Sequence, residues 1–229
     1  MKIKLLELID GAGKAEGLTV IIDVFRAFTL ETYLFGQGAE KIYPVGEMAE
    51  AFALKSEHPD WLLFGERGGA KVEGCDFGNS PSAIQNMDFT GRTIIHSTSA
   101  GTQGIINAVN ADEILVAGLT NARAVAEYIL TKKPKVVSLV AMGNSGVRRA
   151  NEDVLCAEYI RSILENEPIA VTAAAEELAR NGGEHFFDED RQDVFPEADF
   201  YCSIKVDRFP FAIRVEKDAD GRFVATKVR

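Results

Sequence analysis

The sequence predicts an α/β fold: a layered sheet with strand–helix alternation, closed by a C-terminal β-hairpin. Three observations carry that prediction. Short, near-continuous apolar runs such as Thr19-Val20-Ile21-Ile22 and Val136-Val137-Ser138-Leu139-Val140 suit strands covered on both faces. Between such runs lie segments whose apolar residues recur at helical spacing, joined by short connections. No internal repeat or low-complexity linker interrupts the pattern, so residues 1–229 read as one domain, with 203–229 as a C-terminal strand and hairpin extension.

Taken in order, residues 2–9 predict a first strand. The glycine-rich run Gly11-Ala12-Gly13-Lys14-Ala15-Glu16-Gly17 is expected to turn the chain into a strand at 18–23. A dinucleotide loop is excluded there, because no helix follows it to receive a pyrophosphate. Helices are expected at 27–35, 47–57, 102–109, 121–132, 151–165 and 173–180. Strands are expected at 41–45, 61–64, 92–96, 113–116, 135–141 and 169–171. Near the end, Phe211-Ala212-Ile213-Arg214-Val215 and Arg222-Phe223-Val224-Ala225 flank Asp218-Ala219-Asp220-Gly221 and predict a hairpin.

Composition narrows the function. Apolar residues make up 46% and charged residues 26%, as in ordinary globular domains rather than disordered or fibrous chains. No apolar run reaches the ~18 residues of a membrane span, and charges interrupt the first nine residues, unlike a secretory signal. Three widely spaced cysteines, Cys75, Cys156 and Cys202, fit neither a disulfide framework nor a structural zinc site. A cytoplasmic location is expected. With 25 basic and 35 acidic residues the net charge is −10, which disfavours nucleic acid and anionic membranes as partners. The densest acidic stretch, 181–200, reads as mostly a solvated face. An anionic substrate would therefore need a local positive site.

Polar residues collect where the predicted strands end. Asp23 and Arg26 follow one strand, and Glu66, Arg67, Gly68 and Gly69 another. The segment from His96 to Thr102 follows a third, Gly118 to Asn121 a fourth, and Met142 to Gly146 a fifth. Ligands in open α/β sheets bind outside the carboxyl ends of strands, so five loops are candidates for one crevice. The small and hydroxyl residues Thr98, Ser99, Gly101 and Thr102 read either as an anion cradle or as a helix cap. Asp23 and Arg26 read as a metal or phosphorus-attacking carboxylate with an anion-binding arginine, or as a strand-end ion pair. Glu66 and Arg67 repeat that choice. Glu152 and Asp153 open a helix, as cap residues or as ligands of a hard cation together with Asp23. His96 is a substrate contact, a proton relay or a structural residue.

Two further patterns are set aside. Cys202 and Arg208 stand six apart, as in a cysteine-phosphatase loop, but Ser203-Ile204-Lys205-Val206-Asp207 between them lacks glycine and alternates like a strand. Phe25 occupies the place where a haloacid-dehalogenase-type phosphatase has its second aspartate, and Cys156 lies on an apolar helix face as core.

Together these segments resemble the 2-phosphosulfolactate phosphatase family (ComB-like proteins) from about Ile21 to Cys202. Asp23-Val24-Phe25-Arg26-Ala27-Phe28-Thr29 is similar to its D-V-x-R-A-x-T block. Gly65-Glu66-Arg67-Gly68-Gly69 and Gly78-Asn79-Ser80-Pro81 resemble G-E-R-G-G and G-N-S-P. Thr98-Ser99-Ala100-Gly101-Thr102 resembles T-T-N-G-T. Asn121 resembles the asparagine that follows, Glu152-Asp153 the E-D pair, and Phe195-Pro196-Glu197 with Cys202 a further block.

The resemblance implies a Mg2+-dependent phosphatase acting on a small phosphoester that also carries a sulfonate and a carboxylate, on the route to coenzyme M. It implies Mg2+ held by Asp23, Glu152 and Asp153, substrate charges met by Arg26 and Arg67, and Glu66 in the catalytic set. Asn79, Ser80 and Asn121 would orient the substrate and Ser99–Thr102 would cradle its anion. Either Asp23 attacks phosphorus or a metal-activated water does. Three positions depart from the family pattern: Ala100 for the amide of T-T-N-G-T, Phe28 for a small hydroxyl residue, and Glu158 for glycine. They leave open a phosphatase for another phosphorylated hydroxy acid, or a non-catalytic anion-binding protein. Edge strands and the C-terminal hairpin make a homodimer the expected assembly.

Overall fold

The computed structural model describes residues 1–228. Strands β1 (Lys2–Glu7), β2 (Gly17–Ile22), β7 (Ala111–Ala117) and β8 (Val136–Ala141) form a parallel block in the order β1-β8-β2-β7. Strands β3 (Lys41–Pro44), β6 (Thr93–Ser97) and β4 (Leu62–Arg67) form a second, flanked by the two-residue β5 (Ala70–Lys71). The hairpin strands β9 (Ala212–Lys217) and β10 (Phe223–Val228) pair antiparallel and lie between the blocks. On one side β9 pairs with β7, and on the other β10 bridges β3 through Ala225 and Ile42. The hairpin is thus the middle of a ten-stranded sheet, and the sheet's edges are β1 and β5.

Helices α1 (Leu8–Lys14), α2 (Ala27–Gly36), α3 (Met48–Glu57), α4 (Gly101–Asn107), α5 (Ala122–Lys132), α6 (Asn151–Glu165), α7 (Val171–Glu177) and α8 (Glu197–Ser203) cover the two faces. Side chains alternate across a strand, and β2 shows the result: Ile21 joins one apolar cluster with Phe28 and Leu34, whereas Val20 and Ile22 join another with Leu139, Cys156 and Phe200.

Three sequence expectations are corrected. The first strand stops at Glu7, and the glycine-rich turn is the helix α1. Gly11 is needed there because a side chain would press against Leu6, its Cβ 3.1 Å from that residue's. Packing overrides the weak helix propensity of glycine. The strand expected at 169–171 does not form; that stretch leads into α7, after Pro168. Cys202 and Ser203 end α8 rather than lying on a strand, and Cys202 is buried with Gln85 Nε2 donating to its sulfur.

Three antiparallel steps separate the two blocks, so their strands run in opposite directions along the sheet order. Sheet twist of roughly 20–25° per neighbour accumulates over the five steps from β2 to β6 to more than a right angle. The carboxyl ends of both blocks are thereby brought together: a Cβ at Gly101, after β6, would lie 3.0 Å from Asp23 Oδ2, after β2.

Candidate active site

The loops after β2, β4, β6 and β8 enclose a cavity of about 500 Å³. The loop after β7 does not reach it. Asn121 caps that loop instead, its Oδ1 accepting from the Gly118 N–H at 3.0 Å.

One wall is acidic. Asp23, Glu152 and Asp153 are each buried, at 7%, 8% and 2% exposure, and no cationic side chain among the described residues pairs with them. Burial first, then the charges of Asp153 and Glu66, push the Asp23 carboxyl up to about 8. Burial, with Asp23 and Glu184 nearby, pushes Glu152 up to about 7. Asp153 is raised by burial and Glu152, although its oxygens accept the N–H groups of Val24 and Gly143, both at 2.7 Å. Those two bonds tie the loops after β2 and β8 to the start of α6. At Gly143 the backbone is left-handed, and a side chain would overlap the Arg148 carbonyl.

The acidic wall suits a hard divalent cation: the donors are oxygens, their charge is uncompensated, and Glu152 Oε2 is buried without a hydrogen-bond partner. Among the described residues no three His, Cys, Asp or Glu side chains converge as a finished ligand set. Mg2+ needs none, since it keeps several waters and takes one or two carboxylates plus substrate oxygens.

Basic side chains line the same cavity, with little sign of them in the sequence. Arg148 and Arg149, from the loop after β8, line it with Arg191 and His185 from the 181–200 segment. Arg149 pairs with Glu7, but Arg148 and Arg191 have no ion-pair partner among the described residues. Arg191 stacks 4.6 Å over the Phe195 ring. Burial and then the charges of Arg26 and Arg191 hold the His185 imidazole below its usual value.

Several expected residues have other duties. Arg26 borders the cavity but is 3% exposed and is not paired with Asp23. Its Nη1 donates to Asp199 Oδ2 at 2.7 Å and to the Val194 carbonyl, and its Nη2 to the Gly69 carbonyl. Asp199 is fully buried and also accepts from Ser80 Oγ, so Ser80 is a buttress and the acidic stretch is not all solvated face. Arg67 turns away, donating to Gly46 O and Ser97 Oγ.

The backbone expected to cradle an anion is already engaged. The Ser99 and Gly69 N–H groups donate to Glu66 at 2.6 and 2.7 Å, and Gly101 lies against Asp23, where a Cβ would fall 3.0 Å from Oδ2. Thr98 and Thr102 bond each other. This loop holds carboxylates in place. Asn79 and Ala100 border the cavity, whereas His96 is wholly buried behind Asn79. Phe28 is core and Glu158 pairs with Arg161 on the outer side of α6, so of the three departures only Ala100 meets the site.

A family model described as 2-phosphosulpholactate phosphatase matches residues 3–194. A "Probable 2-phosphosulfolactate phosphatase" of Bacillus subtilis (strain 168) is 34% identical over 207 residues, 89% of each chain. A protein of the same description from Carboxydothermus hydrogenoformans is 41% identical over 165 residues, 72% of this chain and 68% of its own. One from Clostridium perfringens (strain SM101 / Type A) is 34% identical over 183 residues, 76% and 73% of the two chains.

Proposed function

The chain belongs to the 2-phosphosulpholactate phosphatase family, and on that premise we propose that it hydrolyses 2-phosphosulfolactate to sulfolactate and inorganic phosphate with the help of Mg2+. The observation that carries this reading is a single cavity lined both by buried, uncompensated carboxylates and by arginines without an ion-pair partner among the described residues. A substrate with a phosphate, a sulfonate and a carboxylate suits that mixture of charges, provided the carboxylates hold a cation that would neutralise part of the substrate's charge.

Asp23 and Glu152 would hold Mg2+, and Asp153 would fix their loops through Val24 and Gly143. Bound there, the ion would supply charge neutralisation at the phosphoryl oxygens. Phosphoryl transfer asks mainly for positioning and electrostatic stabilisation, and the chain's own side chains provide for both. Arg148 and Arg191 meet the remaining negative charges, with planar donor forks suited to sulfonate and carboxylate. Glu66 anchors the loops after β4 and β6 to each other, fixing the cavity floor.

Phosphate release from racemic 2-phosphosulfolactate, with Mg2+ and again with EDTA, tests the reading. We expect metal-dependent turnover well above that on phospholactate; no release from folded protein would refute it. Ala100 at the cavity wall favours one second reading, a phosphatase for a related hydroxy acid phosphate. Faster turnover of phospholactate or phosphoglycolate would establish that instead.

A further inference from the structure

We propose that Glu31 and His96 form a buried positioning pair that sets the Asn79 side-chain amide with its amino group toward the cavity, as a hydrogen-bond donor to an anionic substrate oxygen. The inference rests on the reading of the cavity as a phosphoester site. Glu31, in α2, and His96, at the end of β6, are both fully buried. His96 Nδ1 lies 2.9 Å from Glu31 Oε1, and its Nε2 lies 3.3 Å from Asn79 Oδ1.

In the proposed arrangement a carboxylate accepts at Nδ1 and an amide oxygen at Nε2, which requires a proton on each ring nitrogen and Glu31 as the balancing charge. With its oxygen committed to His96, Asn79 has only its amino group left for the cavity it borders, and that group has no partner among the described residues. A neutral imidazole protonated only at Nδ1 would draw the amino group inward and turn the amide oxygen toward the substrate, where it would repel an anion. A buried ion pair is a poor device for stability alone, and Glu31 Oε2 is left without a hydrogen-bond partner. Its effect here is to choose which face of an amide the cavity sees.

The test is calorimetric binding of inorganic phosphate to wild type, Glu31→Gln, Asn79→Ala and the double variant, with Mg2+ present. Glu31→Gln keeps the volume but removes the charge that holds the second proton. We expect binding about tenfold weaker in each single variant, the size of one lost hydrogen bond to a charged group, and no further loss in the double variant. His96→Gln is the second probe: its amino group would satisfy Glu31 and its carbonyl would face Asn79, forcing the same reversal. If Glu31→Gln fails to fold, His96→Gln takes its place in the cycle.

Multiplicative losses, or unchanged binding in both Glu31→Gln and His96→Gln, would overturn the inference, because a merely structural role predicts no coupling through Asn79. Failure of wild type to bind phosphate would overturn it too. Phosphate binding with the expected coupling but no hydrolysis of 2-phosphosulfolactate would leave it standing and sink the proposed activity.

Discussion

Replacing Asp23 with asparagine should destroy activity and make the metal-free protein more stable. In the folded chain the Asp23 carboxyl is pushed from 3.8 to about 8 by burial and by neighbouring negative charge. The native state therefore holds a proton that the unfolded chain releases near pH 4. Between those two values the folded form binds more protons, so this group's contribution to stability falls as pH rises from about 4 to about 8. At pH 7 the difference spans roughly three pH units, an upper bound of ~4 kcal/mol at ~1.4 kcal/mol each. Coupling to Glu152 and Asp153 shares that cost, so an asparagine should recover about 2 kcal/mol, or roughly 4–8 °C in Tm for a domain of this size. The assay is scanning calorimetry in EDTA at pH 5 and pH 8, with the variant's advantage larger at pH 8. Added Mg2+ should raise the wild-type Tm at pH 8 and leave the variant nearly unmoved. A variant no more stable than wild type at pH 8 without metal would refute the electrostatic account of the acidic wall.

Arg26→Ala strands the fully buried Asp199 charge, so a loss of about 3–5 kcal/mol in urea unfolding is expected. A loss under 1 kcal/mol would show that the pair is not a structural tie. Arg191→Ala should raise KM for 2-phosphosulfolactate about tenfold with a smaller effect on kcat, whereas Arg67→Ala, whose guanidinium serves Gly46 and Ser97, should leave KM within about twofold. Equal effects of the two substitutions would remove Arg191 from substrate recognition.

The apolar runs were legible because strands covered on both faces have no polar alternation to blur them, as in β2 and β8. The helix α1 was hidden by glycines whose role is close packing against Leu6, a tertiary fact. A three-residue apolar stretch after Pro168 has too little length to choose a strand over a helix start. At the site, Asp23, Glu152 and Asp153 stood out because carboxylates at strand and helix ends are chemically conspicuous. Arg191 did not: it is the single arginine within a run of acidic residues, and only the fold separates Asp199, buried under Arg26, from its solvated neighbours. Arg67 misled for the converse reason, since sequence adjacency to Glu66 says nothing about where a guanidinium points.

The central place of the β9–β10 hairpin orders events during synthesis. All the other strands of both parallel blocks are translated before the pair that joins them, so a ribosome-bound chain emerges with β7 and β3 as two raw sheet edges. Until residues 212–228 leave the exit tunnel, the loops on either side of the cavity have no shared framework to hold them in register. Assembly of the cavity therefore waits on these residues, and a chain stopped before residue 212 would present two half-sheets prone to pair with other chains.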